Sequence, residues 1–212
     1  MKDSEKTRLL TKIGYLFLGN MGCFEIGTEI KILHRWLTDP VNELDKHHTI
    51  DLIGVAYKYL PPSKQYKEKV QGNYGEYERT VNKKPITRGI EIKVSRSDFK
   101  NGFIHTGCNY NYLMYPQGLI KPSEIIKSVG LIEVDLEKFN LTKGRRPFYG
   151  YSLEGLKIVR KPKRTEISEK QLNRMWGQIG NALTLQVKIW LRDELANVHL
   201  NGGQEDLVVS KE

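Results

Sequence analysis

A nine-residue run from Thr49 to Tyr57 constrains the fold more than any other part of the sequence. It is rich in β-branched and other apolar residues, and Asp51 is its only charged residue. Such a run is typical of a strand in the core of a sheet. Because a carboxylate without a partner is costly to bury, the run also predicts that Asp51 meets a polar group or a metal ion.

The segments around this run predict an α/β architecture. Apolar residues between Phe24 and Leu37 recur every three or four positions, which predicts a first helix that Asp39-Pro40 would end. Residues 61–84 are polar and predict an insert, either a long loop or an extended hairpin. Further β-rich runs lie at Ile86–Val94, Tyr110–Tyr115 and Val129–Val134, and, as a hairpin, at Phe148–Leu153 with Leu156–Val159.

The last third of the chain changes to helical spacing. Apolar residues recur every three or four positions from Leu172 to Leu195, which predicts a long amphipathic helix within residues 166–200 and a flexible tail at 201–212. Residues 1–165 would then form the main domain. The apolar face of the helix leaves two alternatives open: it packs on the sheet, or it packs on a second subunit and makes a homodimer.

The charge balance points to an acidic partner. The chain has 34 Lys and Arg against 25 Asp and Glu, a formal charge of +9, while 39% hydrophobic residues and two cysteines exclude collagen-like, disordered and disulfide-scaffold classes. No apolar run reaches the ~20 residues that cross a bilayer, and no signal peptide is evident, so we expect a cytoplasmic protein. Charge alone leaves nucleic acid, an anionic membrane surface and an acidic protein open as partners.

The tripeptide Glu91-Ile92-Lys93 carries the chemistry in the second predicted strand. Side chains alternate along a strand, so Glu91 and Lys93 project from one face about 7 Å apart, and Ile92 projects from the other. Asp51 in the neighbouring strand would reach the same point. Two carboxylates with the Ile92 carbonyl between them make the hard-oxygen site that Mg²⁺ prefers.

Such a site suits hydrolysis of a phosphodiester. A bound Mg²⁺ would polarise the phosphate and acidify an attacking water, while Lys93 would orient that water or stabilise transition-state charge. The alternative is ordinary, because Glu-x-Lys on a strand is often a solvated face with an ion pair. The position of Asp51 inside an apolar run favours the functional interpretation.

These residues resemble a known group. The order of helix, Asp51 and Glu91-Ile92-Lys93 is similar to the PD-(D/E)XK restriction-endonuclease-like superfamily. The stretch from Glu91 to Phe99 resembles the Glu-x-Lys-x-Ser-x-x-Asp-Phe signature of MmcB-like DNA-repair proteins, and the segment from Cys108 to Pro116 and the strand at Gly130-Leu131-Ile132 extend the likeness. It covers roughly residues 50–134.

The resemblance implies a mixed central sheet flanked by helices and a metal-dependent deoxyribonuclease of a bacterial or phage-infected cell. Its role would lie in DNA repair, recombination or phage DNA processing, with nucleic acid and no membrane as its partner. Asp51, Glu91 and the Ile92 carbonyl would hold Mg²⁺, with Mn²⁺ as the alternative ion, and Lys93 would activate water. The superfamily often adds an acid from the first helix, for which Glu29 is the candidate and Glu25 the substitute.

Several polar residues outside this set are candidates for contact with nucleic acid. Ser95 either hydrogen-bonds a phosphate or caps a short helix, and Asp98 either caps that helix or positions Lys93. Five tyrosines flank the lysine-rich insert and suit stacking on bases, although core packing or a mobile loop explains them equally well: Tyr57, Tyr59, Tyr66, Tyr74 and Tyr77. Two basic runs either track a phosphate backbone or lie in solvated turns: Lys143, Arg145 and Arg146, then Lys161, Lys163 and Arg164.

Three other functions stay open on the sequence. The fold could bind nucleic acid without cleaving it, it could process RNA instead of DNA, or the chain could be a structural protein with an acidic partner. Metal-dependent cleavage would distinguish a nuclease from a protein that only binds nucleic acid. The preferred substrate would distinguish a DNA nuclease from one that processes RNA.

Overall fold

The computed structural model describes residues 1–33, 47–72, 75–103, 107–146 and 149–183. These residues form a mixed α/β structure with a mixed central sheet, and that part of the predicted fold class is confirmed. None of the described helices is long and apolar enough to cross a bilayer.

The elements follow one another in an α, then largely β, then α order. The helices are α1 (Asp3–Asn20), α2 (Arg96–Lys100) and α3 (169–183). The strands are β1 (Glu25–Leu33), β2 (His47–Tyr59), β3 (Tyr66–Gly72), β4 (Gly75–Val81), β5 (Lys83–Ile92), β6 (Tyr110–Pro116), β7 (Gly130–Val134), β8 (Asn140–Arg146), β9 (Tyr149–Glu154) and β10 (Leu156–Arg160).

The central sheet has six strands in the order β1-β2-β5-β6-β7-β10. The three strands β1, β2 and β5 form an antiparallel meander, while β5, β6 and β7 run parallel to one another, and β10 closes the far edge antiparallel to β7. Strand β5 is therefore where the sheet changes from antiparallel to parallel pairing. The predicted strands at Thr49–Tyr57, Ile86–Val94, Tyr110–Tyr115 and Val129–Val134 are confirmed, with ends that differ by a few residues.

Helix α1 packs on one face of this sheet. Its buried residues recur at helical spacing, and an added Cβ at Gly14 would lie 2.5 Å from Leu52 Cδ1, so the helix and sheet are in close contact there. No helix is predicted here from the sequence, although the spacing of the buried positions is the signal that identifies one. The buried positions are Leu10, Ile13, Gly14, Phe17 and Leu18.

The helix predicted over Phe24–Leu37 is wrong, because Glu25–Leu33 is strand β1. Antiparallel pairing with β2 supplies the backbone hydrogen bonds of this strand. Ile26 and Ile30 pack on opposite faces of the sheet, and Glu29, with its positive φ, lies between them. Residues 34–37 of the predicted helix lie outside the described part of the chain.

The hairpin predicted from Phe148 to Val159 is also wrong. Strand β9 pairs with β8, which the basic and polar sequence of Asn140–Arg146 does not predict, whereas β10 joins the central sheet beside β7. Gly155 separates β9 from β10 and has a φ of +85°. A Cβ added at Gly155 would lie 3.0 Å from the backbone of Phe139. The sharp turn between two different sheets therefore requires glycine.

The polar insert forms a hairpin, which is one of the two alternatives predicted for residues 61–84. Strands β3 and β4 make a separate two-stranded ribbon beyond the central sheet. Most of its side chains are exposed, including Tyr66 and Tyr77, at 55% and 52%. The ribbon continues the β2–β5 pair outward rather than adding to the core.

Helix α3 packs on the face of the sheet opposite α1. Met175 and Ile179 are fully buried in a cluster with sheet residues that include Ile53 and Val55. The described part of the predicted C-terminal helix therefore packs on its own sheet. The remainder of that prediction, residues 184–200, and the predicted tail lie beyond the part of the chain that the structure describes.

The far edge strand, β10, has an irregular register. Its pairing with β7 shifts between Ile158 and Arg160. The Arg160 guanidinium turns inward and donates hydrogen bonds to main-chain carbonyls of the connection between β6 and β7, among them Val129 O at 2.8 Å and Ile126 O at 2.7 Å. One side chain therefore ties the edge strand to this connection.

Candidate active site

The candidate site begins where β2 and β5 stop pairing. Their last paired residues are Leu52 and Ile90, and beyond them the Asp51 carboxylate bridges the gap. Asp51 Oδ2 accepts a hydrogen bond of 2.6 Å from the Ile92 backbone N–H. A side chain thus takes the place of a ladder hydrogen bond and brings a carboxylate to the Glu91-Ile92-Lys93 segment.

Glu91 and Lys93 project together, as strand alternation predicts. Each residue is 8% exposed, and Lys93 Nζ lies 3.5 Å from Glu91 Oε1. Asp51, Glu91 and Lys93 are therefore brought to one place by two adjacent strands. The alternative of a solvated ion pair does not fit, since both side chains are buried.

Asp98 is the second partner of Lys93. Its Oδ1 lies 3.3 Å from Lys93 Nζ, and its Oδ2 accepts a 3.1 Å hydrogen bond from the Val94 N–H. Ser95 in turn caps α2, because its Oγ accepts a 3.3 Å hydrogen bond from the Asp98 N–H. The capping alternative for Ser95 is therefore observed, and its contact with a phosphate stays a prediction.

Burial and neighbouring charges change the acidity of the two carboxyl groups. Burial, followed by the nearby Asp51 charge, raises the pKa of Glu91 to about 7, although Lys93 partly offsets both. Burial also raises the pKa of Asp51, against the hydrogen bond from Ile92 and the charge of Lys93. Two carboxylates that resist ionisation side by side favour the approach of a cation.

Glu29 lies near this site, but on a strand rather than on the predicted helix. Its carboxylate is close enough to Asp51 to raise the pKa of that group. Glu29 is the one non-glycine residue with positive φ, +52°, in the described part of the chain. Backbone strain of this kind costs about 1–3 kcal/mol and clusters at functional sites. The substitute Glu25 pairs with Val55, four residues along β2 from Asp51, and so lies away from the site.

The donor set fits a divalent cation with oxygen ligands. Glu91 Oε2 is buried without a hydrogen-bond partner in the described structure, which is costly for a carboxylate. Three carboxylates, those of Asp51, Glu91 and Asp98, lie around one ammonium, so a cation would improve the local charge balance. The described residues contain no group of three or more His, Cys, Asp or Glu side chains able to hold a metal, so Glu29 does not join Asp51 and Glu91 in one cluster.

The predicted phosphate-contacting residues lie on other elements. Lys143, Arg145 and Arg146 are on β8, and their side chains lie outside what the structure describes. Lys161, Lys163 and Arg164 follow β10 and are exposed, and Arg164 forms an ion pair of 3.2 Å with Glu166. Their contact with nucleic acid stays a prediction.

Asn109 is structural. Its side chain accepts a hydrogen bond of 3.0 Å from the Thr87 N–H and donates one of 3.0 Å to the Thr165 carbonyl. It thus joins β5 to the segment before α3.

Sequence reasoning missed the surroundings of Tyr57. Phe24 and Lys83 both contact its ring. No sequence motif links the three residues, because they come together only when β1, β2 and β5 pair.

Comparisons with known proteins add no assignment. No protein-family model matches the chain, and no curated protein matches it. Among solved structures, the chain is similar to the SPO1766 protein of unknown function from Silicibacter pomeroyi, with 17% sequence identity and a TM-score of 0.35 over 61% of this chain and 80% of that one.

Proposed function

We propose that this protein is a Mg²⁺-dependent deoxyribonuclease with a restriction-endonuclease-like fold of the PD-(D/E)XK type. The observation that carries the proposal is the buried, unpartnered Glu91 Oε2 beside Asp51 and Lys93. An acid, a second acid and a lysine meet on two adjacent strands in the order that this superfamily uses. Repair, recombination and phage DNA processing are the proposed settings.

Asp51 and Glu91 would hold the metal ion, with the Ile92 carbonyl as the predicted third protein oxygen. The hydrogen bond from Ile92 N–H fixes Asp51 Oδ2, while Glu91 Oε2 remains available. When bound, Mg²⁺ supplies Lewis-acid polarisation of the phosphate and a more acidic water. Glu29 would contribute negative charge through Asp51 rather than as a member of the same cluster.

Lys93 would act on the reacting groups through its ammonium. It lies 3.5 Å from Glu91 and 3.3 Å from Asp98, so two carboxylates keep it oriented. From there it can donate hydrogen bonds to an attacking water or to a non-bridging phosphate oxygen. A fixed positive charge where negative charge develops stabilises the transition state.

A second function, nucleic-acid binding without cleavage, is favoured by one observation. Lys93 already has two carboxylate partners, so the site is partly satisfied without a metal ion. This alternative predicts salt-sensitive binding, no metal-dependent product, and no effect of Mg²⁺ on stability.

The test is cleavage of end-labelled DNA in three forms, single-stranded, duplex and branched, with an RNA control. Each is incubated with Mg²⁺, Mn²⁺ or EDTA. Products that require metal and fall at least about 100-fold in Glu91→Gln and Lys93→Gln support the nuclease. Glu154→Gln and Lys157→Gln are matched controls, because they remove exposed strand charges outside the site.

Binding without products in every arm would contradict catalysis and favour the non-cleaving alternative. Cleavage of the RNA alone would move the substrate class to RNA. Calorimetric titration of Mg²⁺ into wild-type protein and Glu91→Gln checks the metal site independently of any substrate.

A further inference from the structure

A cluster of exposed aromatic side chains lies at the end of β2 and β5 away from Asp51. Phe24 stacks on Tyr57 with ring centroids 4.8 Å apart and 11° between the planes. Trp176 of α3 meets both rings edge-on, at 6.2 Å and 6.5 Å. Phe24, Tyr57 and Tyr59 nevertheless remain 49%, 40% and 74% exposed. We refer to these three residues and Lys83 as the aromatic platform.

Positive charge surrounds the platform. Lys83 Nζ lies 4.3 Å from the centre of the Tyr57 ring, and Arg79 of β4 is close enough to that ring to interact with it electrostatically. Arg79 is itself paired with Glu68, whereas no ion pair joins Lys83 to an acid within the described residues. The surface therefore complements an anionic partner.

Core packing explains only part of this arrangement. Trp176 holds the rings in place, but within the described residues no further layer covers the outward halves of Phe24 and Tyr57. Single exposed aromatics are ordinary, whereas the stacked pair of Phe24 and Tyr57 beside Tyr59 and Lys83 marks an interaction surface. Flat rings next to ammonium groups match a ligand that alternates flat bases with phosphates.

We propose that the aromatic platform binds unpaired bases of a DNA strand, with Lys83 and its neighbours on the phosphates. This deepens the proposed function, on which it rests for the identity of the substrate. It assigns a substrate with a single-stranded segment, since the bases of a closed duplex are stacked and cannot cover the rings.

The platform is separate from the candidate active site. Tyr57 lies six residues along β2 from Asp51, which is about 20 Å at the rise of a strand. Helix α3 packs on Ile53 and Val55 between the two sites, so a strand that reached both would pass around the helix and would need more than the roughly six nucleotides of the direct line.

The test measures binding by fluorescence anisotropy of a labelled 20-nucleotide oligo-dT strand and of a 20-base-pair duplex. All variants carry Glu91→Gln and the buffer contains EDTA, so cleavage does not enter. We expect Tyr57→Ala and Tyr59→Ala each to weaken binding of the single strand about 5- to 100-fold, with a smaller effect on the duplex. We expect Lys83→Gln to lower the slope of log affinity against log salt concentration by about one.

The matched control for the tyrosines is Tyr15→Ala, which removes a 45% exposed tyrosine from α1. The matched control for Lys83 is Lys127→Gln, which removes an exposed lysine from the connection between β6 and β7. Circular dichroism and thermal unfolding confirm that each variant folds, and Tyr57→Phe keeps the ring if Tyr57→Ala does not fold. Unchanged single-strand affinity in Tyr59→Ala and Lys83→Gln overturns the proposal. So does a change of oligomeric state in analytical ultracentrifugation without loss of DNA binding, which would make the platform a contact between two copies.

The two proposals fail in different ways. Platform-dependent binding by a protein that never cleaves refutes the nuclease and supports the platform. Metal-dependent cleavage that is indifferent to platform substitutions, together with unchanged single-strand affinity, supports the nuclease and refutes the platform.

Discussion

Glu91 combines two properties that are seldom found in one side chain, because it is buried and it has an oxygen without a partner. Asp51 adds a second negative charge close by, and Lys93 compensates only in part. The native structure therefore holds a proton on this carboxyl group at a pH where the unfolded chain has released it. Metal binding and proton release are coupled at such a site.

This coupling predicts how stability depends on pH in the metal-free protein. The folded pKa of Glu91 is raised from 4.5 to about 7, so the native state binds more protons than the unfolded state between these values. The free energy of unfolding then falls as pH rises through that window, by about 3 kcal/mol for this group. Asp51, whose pKa is also raised, acts in the same direction.

Urea unfolding in EDTA at pH 5, 6, 7 and 8 measures the effect. Wild-type protein should lose stability over this range more steeply than Glu91→Gln, which lacks the titrating group. Equal slopes for the two proteins would contradict the raised pKa. Mg²⁺ should restore wild-type stability at pH 8 and leave the variant nearly unchanged.

Asp98 gives a second prediction at the residue scale. The substitution Asp98→Asn keeps an oxygen for the Val94 N–H but removes a charge 3.3 Å from Lys93. Lys93 then loses orientation, and we expect cleavage to slow about 10- to 100-fold, as for other residues that orient a reacting group. The turnover number and its pH profile should change while KM does not.

Lys100→Gln on the same helix is the control, since Lys100 is exposed. A normal rate and pH profile in Asp98→Asn would mean that Asp98 only caps the start of α2 and does not orient Lys93.

At the scale of elements, the sequence predicted the strands that carry the site and misplaced the element that carries Glu29. The β2 run is strongly apolar, and residues 90–94 alternate apolar and charged side chains, so both patterns indicate strands. The spacing of Ile26 and Ile30 matches a helix, but pairing with β2, which the local pattern does not contain, makes the segment a strand whose Ile26 and Ile30 pack on opposite faces of the sheet. Glu29 still lies near Asp51, although the reasoning that selected it assumed a helix.

Asp51, Glu91 and Lys93 were predictable together for a different reason. Alternation fixes the face of Glu91 and Lys93, and burial of a carboxylate requires a partner. Tyr57 and Tyr59 of the aromatic platform are among the tyrosines that the sequence indicates for stacking, whereas Phe24 and Lys83 were not predictable, since they reach Tyr57 only through tertiary pairing.

Close packing between β7 and the segment after β10 gives a prediction at this scale. An added Cβ at Gly130 would lie 2.6 Å from Tyr112 Cδ1 and 3.0 Å from the Pro162 backbone nitrogen. Gly130→Ala should therefore lower the free energy of unfolding by about 1–3 kcal/mol. Gly19→Ala in α1, where a Cβ meets nothing within 4 Å, should raise it by about 0.5–1 kcal/mol.

Urea denaturation of Gly130→Ala and Gly19→Ala at one pH tests both predictions. A Gly130→Ala protein as stable as wild type would mean that Pro162 and Tyr112 move aside without cost.

At the scale of the whole molecule, the formal charge of +9 predicts that DNA binding weakens as the salt concentration rises. Each phosphate contact contributes a slope of about −0.9 to log affinity against log salt concentration. Three contacts would lower duplex affinity about 40-fold between 50 and 200 mM salt. Anisotropy titrations of a duplex at four salt concentrations measure this slope, and a flat response would contradict a phosphate-binding surface.

The irregular far edge of the central sheet has a consequence for how molecules meet one another. A regular outer strand offers its free backbone groups to any passing strand and can seed edge-to-edge aggregation. Strand β10 is only five residues long, its register shifts before Arg160, exposed Lys157 lies on it, and Pro162 follows it. A second chain that approached this edge would find no continuous row of donors and acceptors to extend. The protein is thereby protected on this flank against fibril-like association, even where many copies are crowded together.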